Sequence, residues 1–157
     1  MRKLFPLPLV LALVLGLAAC GGGANDAPPL YSAGLVTKLV EAGAFSEELE
    51  ELDADTAFLL YRLADSGLER ADMKECTVLR SAGATCEEGA VLVFASADQA
   101  NTAVDALSSY IDGQITANED YRPGELPKLE DALISRRGET VLLVVAGDID
   151  AAKQAVE

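Results

Sequence analysis

Two almost unbroken apolar runs, Ala90-Val91-Leu92-Val93-Phe94 and Val141-Leu142-Leu143-Val144-Val145, constrain this chain more than any other feature. A strand with one face in water alternates apolar and polar residues. A continuous Val/Leu run suits a strand covered on both faces. Each run lies beyond a turn. Thr77-Val78-Leu79 precedes the first run across Ser81-Ala82-Gly83-Ala84, and Ala132-Leu133-Ile134-Ser135 precedes the second across Arg137-Gly138-Glu139. Both pairs read as β-hairpins. Between them, Ser96-Ala97-Asp98-Gln99 fits a capping box, and Ala100, Val104, Leu107, Ile111 and Ile115 recur at helical steps. Asp148 is placed to cap a last helix running to the C-terminus. Hairpin, helix, hairpin, helix predicts an α+β domain with a four-stranded antiparallel sheet. Pairing the two most apolar strands at its centre gives the order 1-2-4-3. A shift of 50 residues lays Val91, Leu92 and Asp98 on Val141, Leu142 and Asp148, which points to a duplicated unit.

Helices precede the sheet. Ser32 stands where a cap is needed for a helix with Leu35, Val36, Leu39 and Val40 on one face, and Gly43 stops it. A second helix is expected near Asp55 to Leu63, ended by Asp65-Ser66-Gly67. The expectation is that these cover one face of the sheet and the later helices the other, with a single helical layer as the alternative. The acidic stretch between them, from Glu41 to Asp55, lacks the central Gly and terminal Glu of an EF-hand, so it reads as a solvated, charged helix face.

The N-terminus carries an address. Met1-Arg2-Lys3 is basic, Leu4 to Ala19 is apolar, and Leu17-Ala18-Ala19-Cys20 closes the run. This is the layout of a secretory signal peptide, and Pro6 and Pro8 make the run a poor spanning helix. The Leu-Ala-Ala-Cys ending resembles the lipobox of bacterial lipoproteins. That resemblance implies that residues 1–19 are removed, that Cys20 carries diacylglycerol, and that the protein sits on the extracytoplasmic face of the cell membrane. Residues 20–29, glycine-rich and then Pro28-Pro29, form a tether with a reach of about 15–18 Å, leaving residues 30–157 as one domain. Losing Arg2 and Lys3 reduces the 12 basic residues to 10 against 26 acidic ones, a net charge of −16. So acidic a body argues against nucleic acid as a partner and against electrostatic docking on anionic lipid, which leaves attachment to the acyl chains.

Tyr121-Arg122-Pro123-Gly124-Glu125-Leu126-Pro127-Lys128-Leu129 follows the long helix and leads into the second hairpin. This resembles small lipoproteins of Gram-positive bacteria that carry the domain of unknown function 4358. In that family a Tyr-x-Pro near the end of the long helix leads into Lys-Leu, an apolar strand, Gly and a second apolar strand. Tyr121, Pro123, Lys128, Leu129 and Gly138 match. The resemblance implies the location and the fold, and transfers no catalytic residue.

Few residues offer chemistry. The chain has no His, the commonest general base and metal ligand, so no catalytic, cofactor or metal site is expected. Cys76 and Cys86 lie symmetrically about Ser81, and a simple hairpin register sets them opposite one another as a disulfide. The connector from Asn118 to Asp131, with two prolines, is long for a compact domain. Tyr121, Arg122 and Lys128 make it the candidate binding loop. The competing expectation is that the Tyr121 ring plugs the helix end as a brace, fixed by Pro123. Arg136-Arg137 reads as a solvated turn. The functional expectation is a non-catalytic binding or accessory module docking a protein partner near the membrane. The alternative is a small-ligand or solute-binding lipoprotein.

Overall fold

The computed structural model describes residues 27–157. The leader, Cys20 and most of the tether lie outside the described residues. The first hairpin is β2 (Met73–Arg80) with β3 (Glu88–Phe94), and the second is β4 (Leu133–Arg137) with β5 (Thr140–Val145). A short strand β1 (Glu50–Leu52) joins the edge of β2, giving one antiparallel sheet of five strands in the order β1-β2-β3-β5-β4. The expected four-stranded sheet therefore gains a strand, taken from the acidic stretch read as a helix face. Glu50 and Glu51 stay exposed there, Leu52 is half-buried, and Asp53 turns the chain by accepting from the N–H groups of Asp55 and Thr56.

The central strands are covered twice, which accounts for their composition. Ala90, Leu92, Phe94, Val141, Leu143 and Val145 face a core formed with α2 (Ala54–Leu60), the long α3 (Ala97–Asn118) and α4 (Leu126–Glu130). Val91, Leu142 and Val144 face a second core with α1 (Gly34–Glu41) and α5 (Ile149–Val156). The helices are thus not divided into early and late layers, as expected, because the first and last share a face. The Asp148 N–H donates to the Ala44 carbonyl at 3.0 Å, tying the end of one to the start of the other. The duplication reading fails on the same geometry. A 50-residue shift moves Val91 from one core to Val141 in the other, and α3 and α5 lie on opposite faces.

Side-chain caps open α2, α3 and α5. Ser96 Oγ accepts from Gln99 N at 3.3 Å, but the Gln99 amide reaches Asp72 rather than closing the box. Asp148 accepts from Ala151 N at 2.9 Å, as expected. Ser32 contributes its carbonyl and not its hydroxyl to the start of α1. Along α3, Ala100, Ala103 and Ala106 are buried beside Leu107, Tyr110 and Ile111. Small residues let this helix lie close to the sheet. At 22 residues it runs about 33 Å, far enough to span the strands and deliver the next loop to their opposite end.

The two ends of the sheet differ. At one, the Tyr31 N–H donates to Thr140 Oγ1 at 2.9 Å, and Phe94 N donates to Glu139 O, so the chain enters beside the Gly138 turn. Arg137 is not a solvated turn residue. Its guanidinium lies over the Tyr31 ring at 4.4 Å and donates to Val156 O. The other end holds Gly83, the start of β3 and the loop after α3.

Candidate functional site

The loop after α3 is fixed by its charged residues. Arg122 Nε donates to Asn118 Oδ1 at 2.9 Å, its Nη1 reaches the carbonyls of Gly83 (2.9 Å) and Thr85 (3.3 Å), and its Nη2 lies 3.4 Å from Cys86 Sγ. Glu125 accepts from Cys86 N at 2.8 Å. Lys128 Nζ bridges Glu125 at 3.1 Å and the fully buried Glu87 at 3.0 Å. Glu87 also accepts from Ser46 N and Ser46 Oγ at 2.7 and 2.6 Å. Burial works against the Lys128 charge, but the bonds to Glu87 and Glu125 outweigh it and hold its pKa above the ordinary value. The Ser81 and Thr85 hydroxyls beside Glu47 hold its carboxyl below the usual range.

Tyr121 takes no part in this lattice. Its ring is 79% exposed, and the Arg122 guanidinium lies 5.6 Å from its centroid. The three residues of the candidate binding loop therefore divide. Arg122 and Lys128 are the brace, and Tyr121, expected as a buried plug, is the presented group. Pro123 starts a 3-10 turn over Pro123–Glu125 and does not turn the ring inward, and the helix end is closed by Arg122, which bonds Asn118 through Nε and its backbone N–H.

A second constellation was not foreseen from the sequence. Glu88, buried at the start of β3, accepts hydrogen bonds from Tyr61 Oη and from Tyr110 Oη, the latter at 2.9 Å. Arg80, its partner across the strands, places Nε at 3.5 Å. The two rings meet edge to face with centroids 5.2 Å apart. Burial pushes the Glu88 carboxyl upward against the pull of Tyr61, Arg80 and Tyr110. Burial and the adjacent carboxylate push both phenols upward, so both remain protonated donors rather than bases. A cleft of about 300 Å³ opens beside the pair, lined also by Arg62, Asp65, Ser66 and Ser109. Arg62 is in the left-handed region at φ 52°, the one non-glycine residue there among the described residues. The available signal was Glu87-Glu88 standing directly before an apolar strand run covered on both faces, where neighbouring side chains point to opposite sides.

The family model described as Domain of unknown function (DUF4358) matches residues 47–146. The chain belongs to this family. Of the positions quoted for the DUF4358 pattern, Tyr121 is presented, Pro123 and Lys128 shape and pin the loop, Leu129 enters the core, and Gly138 makes the second hairpin turn at φ 57°. The matched span includes all five strands, α3 and the loop, and leaves α1 and α5 outside it. No curated protein matches the chain. No solved structure matches it.

Cys76 and Cys86 are both free thiols, which corrects the expected disulfide. The hairpin turns farther along than Ser81: Arg80 pairs with Glu88 and Cys76 with Leu92. Cys86 lies beyond Glu88, where β3 begins, and Glu88 is already about 13 Å along the strand from Leu92, so the two thiols are out of disulfide reach. Burial pushes both thiols above their ordinary pKa. Among the described residues, no group of three or more His, Cys, Asp or Glu side chains is placed to hold a metal ion, and no helix is long and apolar enough to cross a membrane.

Proposed function

We propose that this chain is a lipoprotein, anchored through diacylglycerol on Cys20 to the extracytoplasmic face of the cell membrane, and that it acts as a non-catalytic binding or accessory module. Its partner is a protein of the cell envelope, which docks on Tyr121. One observation carries the reading: an aromatic ring 79% exposed on a loop that Arg122, Glu125 and Lys128 pin to the body of the domain. A rigid, exposed tyrosine offers large contact area at little conformational cost on binding. The small-ligand alternative has its own support in the cleft beside Tyr61 and Tyr110, whose rim combines Arg62, Asp65 and two serines.

A photo-crosslinking residue at position 121, expressed in cells of the source organism, tests the leading reading. The expected result is one dominant covalent adduct, lost when the crosslinker is moved to Asp112 on α3. Labelling no different from that at Asp112 would refute it. Anchoring is tested separately by Cys20→Ala, which is expected to leave the detergent phase in which the parent partitions.

A further inference from the structure

We propose that the Gly138 end of the domain is its membrane-facing surface, with a cleft that seats the phosphate of an anionic phospholipid. The proposal rests on the anchoring reading and goes beyond it. The chain leading from Cys20 enters at this end, through Pro29 and Tyr31 beside Thr140. There a cleft of about 190 Å³ is lined by Leu30, Lys38, Arg137, Val156 and Glu157 among others. Lys38 is exposed and makes no ion pair among the described residues. Arg137 spends donors on Val156 O and Pro29 O while stacked on Tyr31, and a guanidinium has five N–H groups. Two cations thus border one anion-sized space, with Leu30, 49% exposed, set to enter the interface beside them.

The whole chain is too acidic to bind anionic lipid by attraction, but its charge is unevenly placed. At the opposite end Arg80, Arg122 and Lys128 are committed to Glu88, to the Gly83–Cys86 segment and to Glu87, while Glu48, Glu119, Asp120, Asp148 and Asp150 are exposed. An anionic bilayer repels that end more than the other, where Asp98 and Glu157 are also exposed but Lys38 and Arg137 border the cleft. Glu157 on the rim opposes Lys38 and Arg137 and keeps the site weak. A weak site suffices when a short tether holds it at an effective concentration on the order of millimolar. Tyr121 then points away from the bilayer, toward partners approaching from outside.

The test uses the full lipidated chain extracted from membranes, in detergent and on phosphatidylcholine vesicles with or without phosphatidylglycerol at about a third of the lipid. Amide hydrogen exchange is expected to slow at residues 29–38 and 136–140 on the anionic vesicles, and to be unchanged at 118–128. Lys38→Ala should shift the docked population by about fivefold. Equal exchange at both ends, or protection at 118–128, would overturn the proposal. So would protection of the same segments by soluble glycerophosphate in detergent, which would make this a site for free phosphate. Intact mass reads the acyl chains independently. A chain without them refutes the anchoring reading and this proposal together, whereas an acylated chain without protection refutes this proposal alone.

Discussion

Replacing Lys128 by Met tests whether the residue shared with the family pattern is a structural brace. Glu87 is fully buried, and among the described residues Lys128 is its one ion-pair partner, at 3.0 Å with 21% of the lysine side chain exposed. Removing one partner of a buried pair costs about 3–5 kcal/mol, because the remaining charge is stranded. Two features place this case near the lower bound: Ser46 still donates twice to Glu87, and the partly exposed site admits some water. With a urea dependence of roughly 2 kcal/mol per molar, a loss of about 3 kcal/mol lowers the unfolding midpoint by about 1.5 M. The companion variant Glu87→Gln keeps an acceptor for Ser46 without the charge. The double variant should recover most of the loss, since replacing both members of a buried pair is often close to neutral. Urea titrations of the four proteins, followed by circular dichroism, complete the cycle. A single Lys128→Met change within about 0.5 kcal/mol of the parent would refute the bracing argument and return Lys128 to the solvent-facing site.

Tyr121→Ala should leave stability within about 0.5 kcal/mol, whereas Arg122→Ala, which strips donors from Asn118, Gly83 and Thr85, should cost about 2 kcal/mol; thermal melts of the pair check the division of labour. The Glu88 carboxyl has a folded-state pKa raised above 4.5 by burial. The folded protein therefore holds that proton more tightly than the unfolded chain, and ionising Glu88 costs stability as pH rises from about 4.5 through the raised value. Denaturation at a series of pH values should show Glu88→Gln gaining on the parent across that window; a constant difference would contradict the shift. Thiol titration in denaturant without reductant should find both Cys76 and Cys86 reactive, and a blocked pair would require a hairpin register other than the one described. Gly89→Ala places a Cβ 2.9 Å from the Phe45 ring and should lower stability by about 1–3 kcal/mol in the same urea assay.

What the sequence made legible was decided by period and by turn residues. The two Val/Leu runs suit strands covered on both faces, and the helical spacing after Ser96 suits the crossover between them, so the hairpins, α3 and the Asp148 cap follow from local pattern. β1 was hidden because three residues carry no period, and its pairing with Arg80–Val78 depends on a neighbour outside the stretch. The hairpin register was misplaced for a related reason. Ser81 to Ala84 looked like the whole turn, but the connection runs on to Glu87, whose carbonyl accepts from Ser81 N.

At the loop, residue type suggested the wrong roles. A tyrosine beside a proline looks like core and an arginine or lysine looks like surface, yet here the cations reach inward because buried acceptors await them. Those acceptors, Glu87 and the carbonyls of Gly83 and Thr85, come from a hairpin about forty residues upstream, and no local reading of Tyr121 to Lys128 can see them. Once they claim Arg122 and Lys128, the loop's cations are spent on structure, and the exposed ring of Tyr121 is the large apolar group it presents for recognition.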